Sequence, residues 1–236
     1  MPIFDPKQVT TYTDGDLCKV VFLGGHIVGA LTPFTDELAG WVTTFKPHQR
    51  VRTGAVSHDL AEILANNGFS YTQELVLMSK DLATPNNLLS QNHRPSLITP
   101  TQSPLKFRVA AGIDASAFAP RWSMTAKDLR VAYGSTSRAQ IFFGGPPWRR
   151  NGFILVGTTQ SHAYLQRLAV IPSAQQQGIG KHLVDASISW SQSQNATRMF
   201  VNTELDNGPA LRLYDRIGFN RHVDKLYVME RSVQNT

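Results

Sequence analysis

A chain of 236 residues with 42% hydrophobic and 17% charged residues fits one large globular domain or two smaller ones; two are expected, and no apolar run approaches the roughly 20 residues that span a bilayer. The net charge of +6 is divided unevenly, residues 1–104 holding 7 Lys/Arg against 9 Asp/Glu and residues 105–236 holding 16 against 8, so an anionic ligand is expected on the second half, a small polyanion before a nucleic acid. Cys18 is the single cysteine and the seven histidines lack metal-ligand spacing, which leaves no disulfide and no metal site to expect; the first residues lack the basic-then-apolar order of a secretion signal, so the expected location is the cytoplasm.

In chain order, Asp36 to Phe45 reads as a helix and Val51 to Val56 as a strand. Ser57 begins a second helix with Leu60, Ile63 and Leu64 on one face; Gly68-Phe69 ends it, and an apolar strand covers Leu75 to Met78. From Asp81 to Leu105 periodicity is lost and Pro85, Pro95, Pro100 and Pro104 gather among Asn, Ser and Thr, the chemistry of a linker over 86–104. Tyr164 to Val170 has the composition of a buried strand, stopped by Pro172, and Ile179, Leu183, Ala186 and Trp190 then recur at helical spacing. A strand over Met199 to Thr203 leads to a helix with Ala210, Leu213, Tyr214 and Ile217 on one face, then Gly218-Phe219, then a strand ending at Met229. The order helix, Gly-Phe, strand thus occurs twice, and both glycines are expected to cap their helices at positive φ.

The segment Gln175-Gln176-Gln177-Gly178-Ile179-Gly180-Lys181 lies where a strand gives way to a helix. Without Cβ atoms at Gly178 and Gly180, successive main-chain amides can turn toward a phosphate, and the helix start adds its partial positive charge. A tight strand-to-helix turn would use the same two glycines.

Gln175-x-x-Gly178-x-Gly180 after a strand, followed by Asn207-x-x-Ala210-x-x-Leu213-Tyr214-x-x-x-Gly218-Phe219, resembles the paired signatures of the GNAT superfamily of N-acetyltransferases. Tyr164 to Val170 and Val201 to Asn207 are similar to the matching segments of actinobacterial-type GNAT proteins, a group with a degenerate GNAT-like N-terminal half. The resemblance implies an α+β fold, a mixed and mostly antiparallel sheet flanked by helices and splayed between its fourth and fifth strands. It also implies a partial, catalytically silent unit over residues 1–85 that shapes the acceptor cleft or mediates a homodimer, and a catalytic domain over 105–236. Acetyl-CoA is the implied cosubstrate. Leu168, Ala169 and Val170 would face the pantetheine arm, and Gln175, Gln176, Gln177, Gly178, Ile179, Gly180 and Lys181 the diphosphate. Asn207, Ala210 and Tyr214 belong to the second signature, and Arg212 could also reach a nucleotide phosphate.

Acetyl transfer needs a neutral amine, a stabilised oxyanion and an acid for the departing thiolate. The family's strand bulge would free oxyanion donors near Leu168 and Ala169. Tyr214 would protonate the sulfur, although an aromatic at that spacing also suits a core. The glutamate that many members carry early in the fourth strand is absent from His162-Ala163-Tyr164-Leu165-Gln166, leaving Glu204, His162 or water as base. An α-amine, with pKa near 8, needs less help than a lysine near 10.4, so an α-amine or other weakly basic primary amine is the expected acceptor. Ala119-Pro120-Arg121-Trp122 falls where the family places acceptor-facing loops. Two other classes stay open, a noncatalytic acyl-CoA sensor or scaffold and a nucleic-acid-binding protein driven by the basic half.

Overall fold

The computed structural model describes residues 9–14, 17–22, 50–82, 98–120 and 122–232. The helix expected over Asp36 to Phe45 lies outside them. The chain forms two compact units that interleave along the sequence: residues 1–77, 202–208 and 221–236 make one, and residues 78–201 and 209–220 the other. This division differs from the expected boundaries at 85 and 105, because the last strand is hydrogen-bonded to strands from the N-terminal part. No described helix is long and apolar enough to cross a membrane.

In the first unit β1 (Val9–Asp14) and β2 (Leu17–Phe22) form an antiparallel pair, and β2 runs parallel to β3 (Arg50–Thr53). β11 (Asn220–Ser232) pairs antiparallel with β3 and with the two-residue β4 (Val56–Ser57), and lies beside β5 (Ser70–Asp81). The strand expected over Val51 to Val56 is thus broken at residues 54–55 into β3 and β4. Helix α1 (His58–Asn66) buries Leu60, Ala61 and Leu64 against Cys18, Val51, Val56, Phe69 and Met229. The Met229 amide donates to Thr53 Oγ1 at 2.9 Å, and Glu230 pairs with Arg52, so β11 is held by polar as well as apolar contacts.

The second unit carries a sheet in the order β10-β9-β8-β7-β6. Its members are β6 (Ile98–Pro100), β7 (Arg138–Gly144), β8 (Gly152–Thr159), β9 (His162–Val170) and β10 (Arg198–Glu204). All neighbours are antiparallel except β9 and β10. The span read as linker therefore ends in structure: Ile98–Pro100 is an edge strand on β7, a position where Pro100 costs no ladder bond.

Side chains alternate between the two faces of this sheet. Ile141, Phe143, Phe153, Leu155 and Ala169 face α2 (Lys106–Ala117) and α3 (Ala126–Gly134), meeting Ala110, Ile113 and Leu129. Thr125 and Asp128 close α3 with a reciprocal capping box. On the other face α4 (Ile179–Ser193) packs on β7, β8 and β9. It comes close because two strand positions are glycine. A Cβ on Gly144 would stand 2.9 Å from Ile179 Cγ2, and one on Gly152 would stand 3.2 Å from Ile179 and from Leu183.

The repeated order read in the sequence is present as local structure. α1 ends with Phe69 N donating to Leu64 O and Gly68 N to Ala65 O; α5 (Gly208–Ile217) ends with Phe219 N donating to Tyr214 O and Gly218 N to Asp215 O. Gly68 has φ +83° and Gly218 φ +90°, the left-handed caps expected of both. At the second cap Lys80 Nζ also donates to Ile217 O at 2.9 Å, a cation on the negative end of the helix.

Candidate active site

The sheet of the second unit opens along β9. Its antiparallel register with β8 runs the whole strand, from His162 opposite Thr159 to Val170 opposite Gly152. Its parallel register with β10 covers only His162, Ala163 and Tyr164, opposite Arg198, Met199 and Phe200. Leu165 to Val170 therefore have no register with β10, and the Val170 carbonyl is taken by a side chain instead. A bulge adds to it: Leu155 opposes Arg167 and Val156 opposes Leu165, so Gln166 is left over. It sits two residues before the position expected at Leu168 and Ala169, and the Gln166 side chain holds it by donating to Ala132 O and Ser135 Oγ at the end of α3.

β9 ends at a short 3-10 turn, Pro172–Ala174, and the chain enters α4 through an exposed loop. Gln176 has φ +60° and Gly178 φ +80°, while Gln175 is extended. Backbone that alternates in this way turns consecutive N–H groups to one side. Among the described residues the amides of Gln176, Gln177 and Gly178 meet no protein acceptor, and the first turn of α4 adds those of Ile179, Gly180 and Lys181, which no α-helix satisfies internally. The glutamine side chains brace the loop from outside, Gln175 Nε2 donating to Val170 O and Gln177 Nε2 to Ser173 O. Lys181 Nζ is 2.6 Å from Asp185 Oδ2 on the next turn, so any anion held here rests on main-chain amides. Gly180 has a second role. A Cβ there would stand 3.4 Å from Leu213 Cδ2, so the first turn of α4 lies against α5.

The neighbour of Leu213 on α5 is Tyr214, 4% exposed, its ring 5.6 Å from that of Phe219. Burial pushes its phenol well above the ordinary tyrosine range, and the Arg167 guanidinium on β9 pulls weakly the other way. Tyr214 is thus tied to β9 through the field of Arg167 and to the first turn of α4 through its neighbour Leu213.

Arg167 belongs to a group that sequence reading missed. Its Nε and Nη2 grip Asp114 of α2 at 2.6 and 2.9 Å, and Nη2 also donates to Trp122 O at 2.7 Å. Asp114 is wholly buried and accepts from the Met124 amide as well, so one ion pair ties α2, Trp122 and Met124 to β9. The guanidinium also lies 3.7 Å from the Phe118 ring centroid. An arginine inside a largely buried strand was the available signal, since a cation there requires a carboxylate from elsewhere.

Other candidates stand apart. His162 is the first residue of β9, edge-on to Phe200 at 5.4 Å and roughly 20 Å along the strand from Leu168. Glu204 and Asn207 belong to the first unit, where Glu204 Oε1 accepts from Gln73 Nε2 at 2.6 Å and the Asn207 amide donates to Glu204 O. Ala210 is half-buried on α5, and Arg212 is exposed there.

A mixed sheet parted beside one strand, with an amide-lined loop opening onto a helix at the end of that strand, is the fold of acyl-CoA-dependent N-acyltransferases. Residues 115–219, just under half of the chain, match the acetyltransferase (GNAT) family. It is 35% identical over 66 residues to N-alpha-acetyltransferase 30 of Schizosaccharomyces pombe, a match covering 28% of this chain and 43% of that protein. It is 41% identical over 54 residues to the mycothiol acetyltransferase of Arthrobacter sp. strain FB24, covering 23% and 17%. The chain thus spans less than half the length of either relative. A tandem GNAT protein from the clavulanic acid biosynthesis pathway superposes with a TM-score of 0.62 at 13% identity, over 97% of this chain and 79% of that one.

Proposed function

We propose that this chain is an N-acetyltransferase that moves the acetyl group of acetyl-CoA onto a primary amine by direct attack in a ternary complex. The observation that carries the reading is the convergence of an unpaired β9 edge, a loop of unsatisfied amides and a buried tyrosine. The pantetheine arm would pair with Leu168, Ala169 and Val170 as an added strand, and the diphosphate would lie on the amides of Gln176 to Lys181. The amine lone pair attacks the thioester carbon, and main-chain amides near the bulge at Gln166 take the oxyanion. As the C–S bond breaks the sulfur receives the Tyr214 proton, and the proton lost by the amine returns to Tyr214 through water.

An α-amine is the favoured acceptor class. It is partly neutral near physiological pH without a dedicated base, and the yeast relative is named for N-alpha acetylation. A small-molecule amine stays within the proposal. Residues 1–85 are proposed to be a catalytically silent GNAT-like unit; likeness over 97% of the chain to a tandem GNAT protein supports that reading at the level of fold.

The test is thiol release from acetyl-CoA with matched α-amine peptides, lysine-side-chain peptides and small amines. The expected result is turnover fastest with an α-amine and lowered about 10²-fold or more by Tyr214→Phe, with coenzyme affinity kept. Faster lysine-side-chain acetylation would overturn the acceptor class. A second reading, a noncatalytic acyl-CoA sensor, draws on Glu204 being engaged by Gln73 and His162 standing far along β9; tight binding without turnover would establish it instead.

A further inference from the structure

The turn between β7 and β8 has no part in the site described so far, yet it walls a cleft of about 380 Å3. Trp148, Arg149 and Arg150 stand on one side, Val109 and Ile113 of α2 on the other, and Ile171 adjoins both. That volume lies in the range of small-molecule sites. The composition of the wall is unusual, because Trp148 is 85% exposed beside an exposed arginine.

The turn is firmly built. Gly145 has φ +83°, and a Cβ there would stand 2.5 Å from Arg149 O, so only glycine allows this path. The Arg149 amide donates to Pro146 O at 2.9 Å, and the Arg150 guanidinium donates to Gly145 O while lying 5.5 Å from the Phe143 ring centroid. Arg150 therefore braces the turn, which leaves the Arg149 side chain and the indole of Trp148 facing solvent. The surrounding charge has one sign. Residues 105–150 hold eight Lys/Arg and two Asp/Glu, and both carboxylates are buried, Asp114 on Arg167 and Asp128 in the cap of α3.

The cleft shares Ile171 with the segment that leads into the amide-lined loop. Ile171 donates its amide to Asn151 O at 2.9 Å, next to the β7–β8 turn, and the chain then passes directly into Pro172–Ala174 and the loop. Coenzyme A held there by its diphosphate still has a purine and a 3′-phosphate to place. We propose that the cleft receives this 3′-phosphoadenosine end, with the adenine stacked on Trp148 and the 3′-phosphate bound by Arg149. A flat π-face for a base and a guanidinium for a phosphate are the groups such a ligand requires. This inference rests on the acyltransferase reading above.

Calorimetric titration of the full-length protein with coenzyme A and with dephospho-coenzyme A, which lacks the 3′-phosphate, tests it. The wild type is expected to bind coenzyme A about tenfold more tightly than the dephospho form. Arg149→Ala should erase that difference and leave the dephospho affinity unchanged, and Trp148→Ala should weaken both about tenfold. Both side chains are exposed, so the variants should keep the wild-type circular dichroism and melting temperature. Equal wild-type affinities, or a preference that survives Arg149→Ala, would overturn this inference alone. Failure of the wild type to bind either coenzyme would overturn the acyltransferase reading with it.

Discussion

Tyr214 owes its character to its surroundings. Its phenol is raised by burial, so the hydroxyl stays protonated through the range where a free thiol, near 8.5, already ionises. A hydroxyl kept protonated in that way would, on the proposed reading, hydrogen-bond the sulfur of a departing thiolate as its charge develops. The same shift links pH to stability. Because the folded form holds this proton more tightly than the unfolded chain, stabilisation by Tyr214 is complete below the unfolded value near 10 and is lost as pH climbs above it. Urea midpoints measured between pH 9 and 11 should therefore fall more steeply for the wild type than for Tyr214→Phe. Parallel slopes would show that burial has not raised this group.

At the scale of elements, the loop before α4 depends on a left-handed residue at its hinge. Gly178 has φ +80°, and a Cβ added there would meet nothing nearer than His182 Cε1 at 3.8 Å, so conformation, not space, demands glycine. Gly178→Ala should lower the unfolding free energy by about 1–2 kcal/mol, moving the denaturation midpoint down accordingly, and weaken coenzyme binding roughly tenfold. Calorimetry beside denaturant titration separates those effects. This loop was legible in the sequence because its requirement is local, a strand, a Pro and spaced glycines within 18 residues. Gly68 and Gly218 were legible for the same reason. The bulge at Gln166 was displaced by two residues in the reading, since register depends on the partner strand β8 and not on β9 alone. The Asp114–Arg167 pair could not be read at all. It spans 53 residues, and only the packing of α2 on β9 brings it together.

Across the whole molecule, interleaving of the units was the feature least visible in advance. Composition suggested a cut in the Pro-rich stretch, yet β11, near the end of the chain, belongs with β3 and β4 and contributes Met229 to their core. Expressing residues 105–236 alone should therefore leave an unpartnered strand and an uncovered methionine. Size-exclusion chromatography is expected to show aggregation, and a monodisperse fragment with normal coenzyme affinity would refute this view. On the second unit, the glycines at 144 and 152 set how deeply α4 settles onto its sheet, and that seating fixes where the helix's leading amides point. On the proposed reading, grip on the acyl donor would thereby be governed from beneath, at strand positions that face α4. Evolution, or an engineer, could retune donor preference by adding a single methyl group there while leaving every group at the reacting bond as it is.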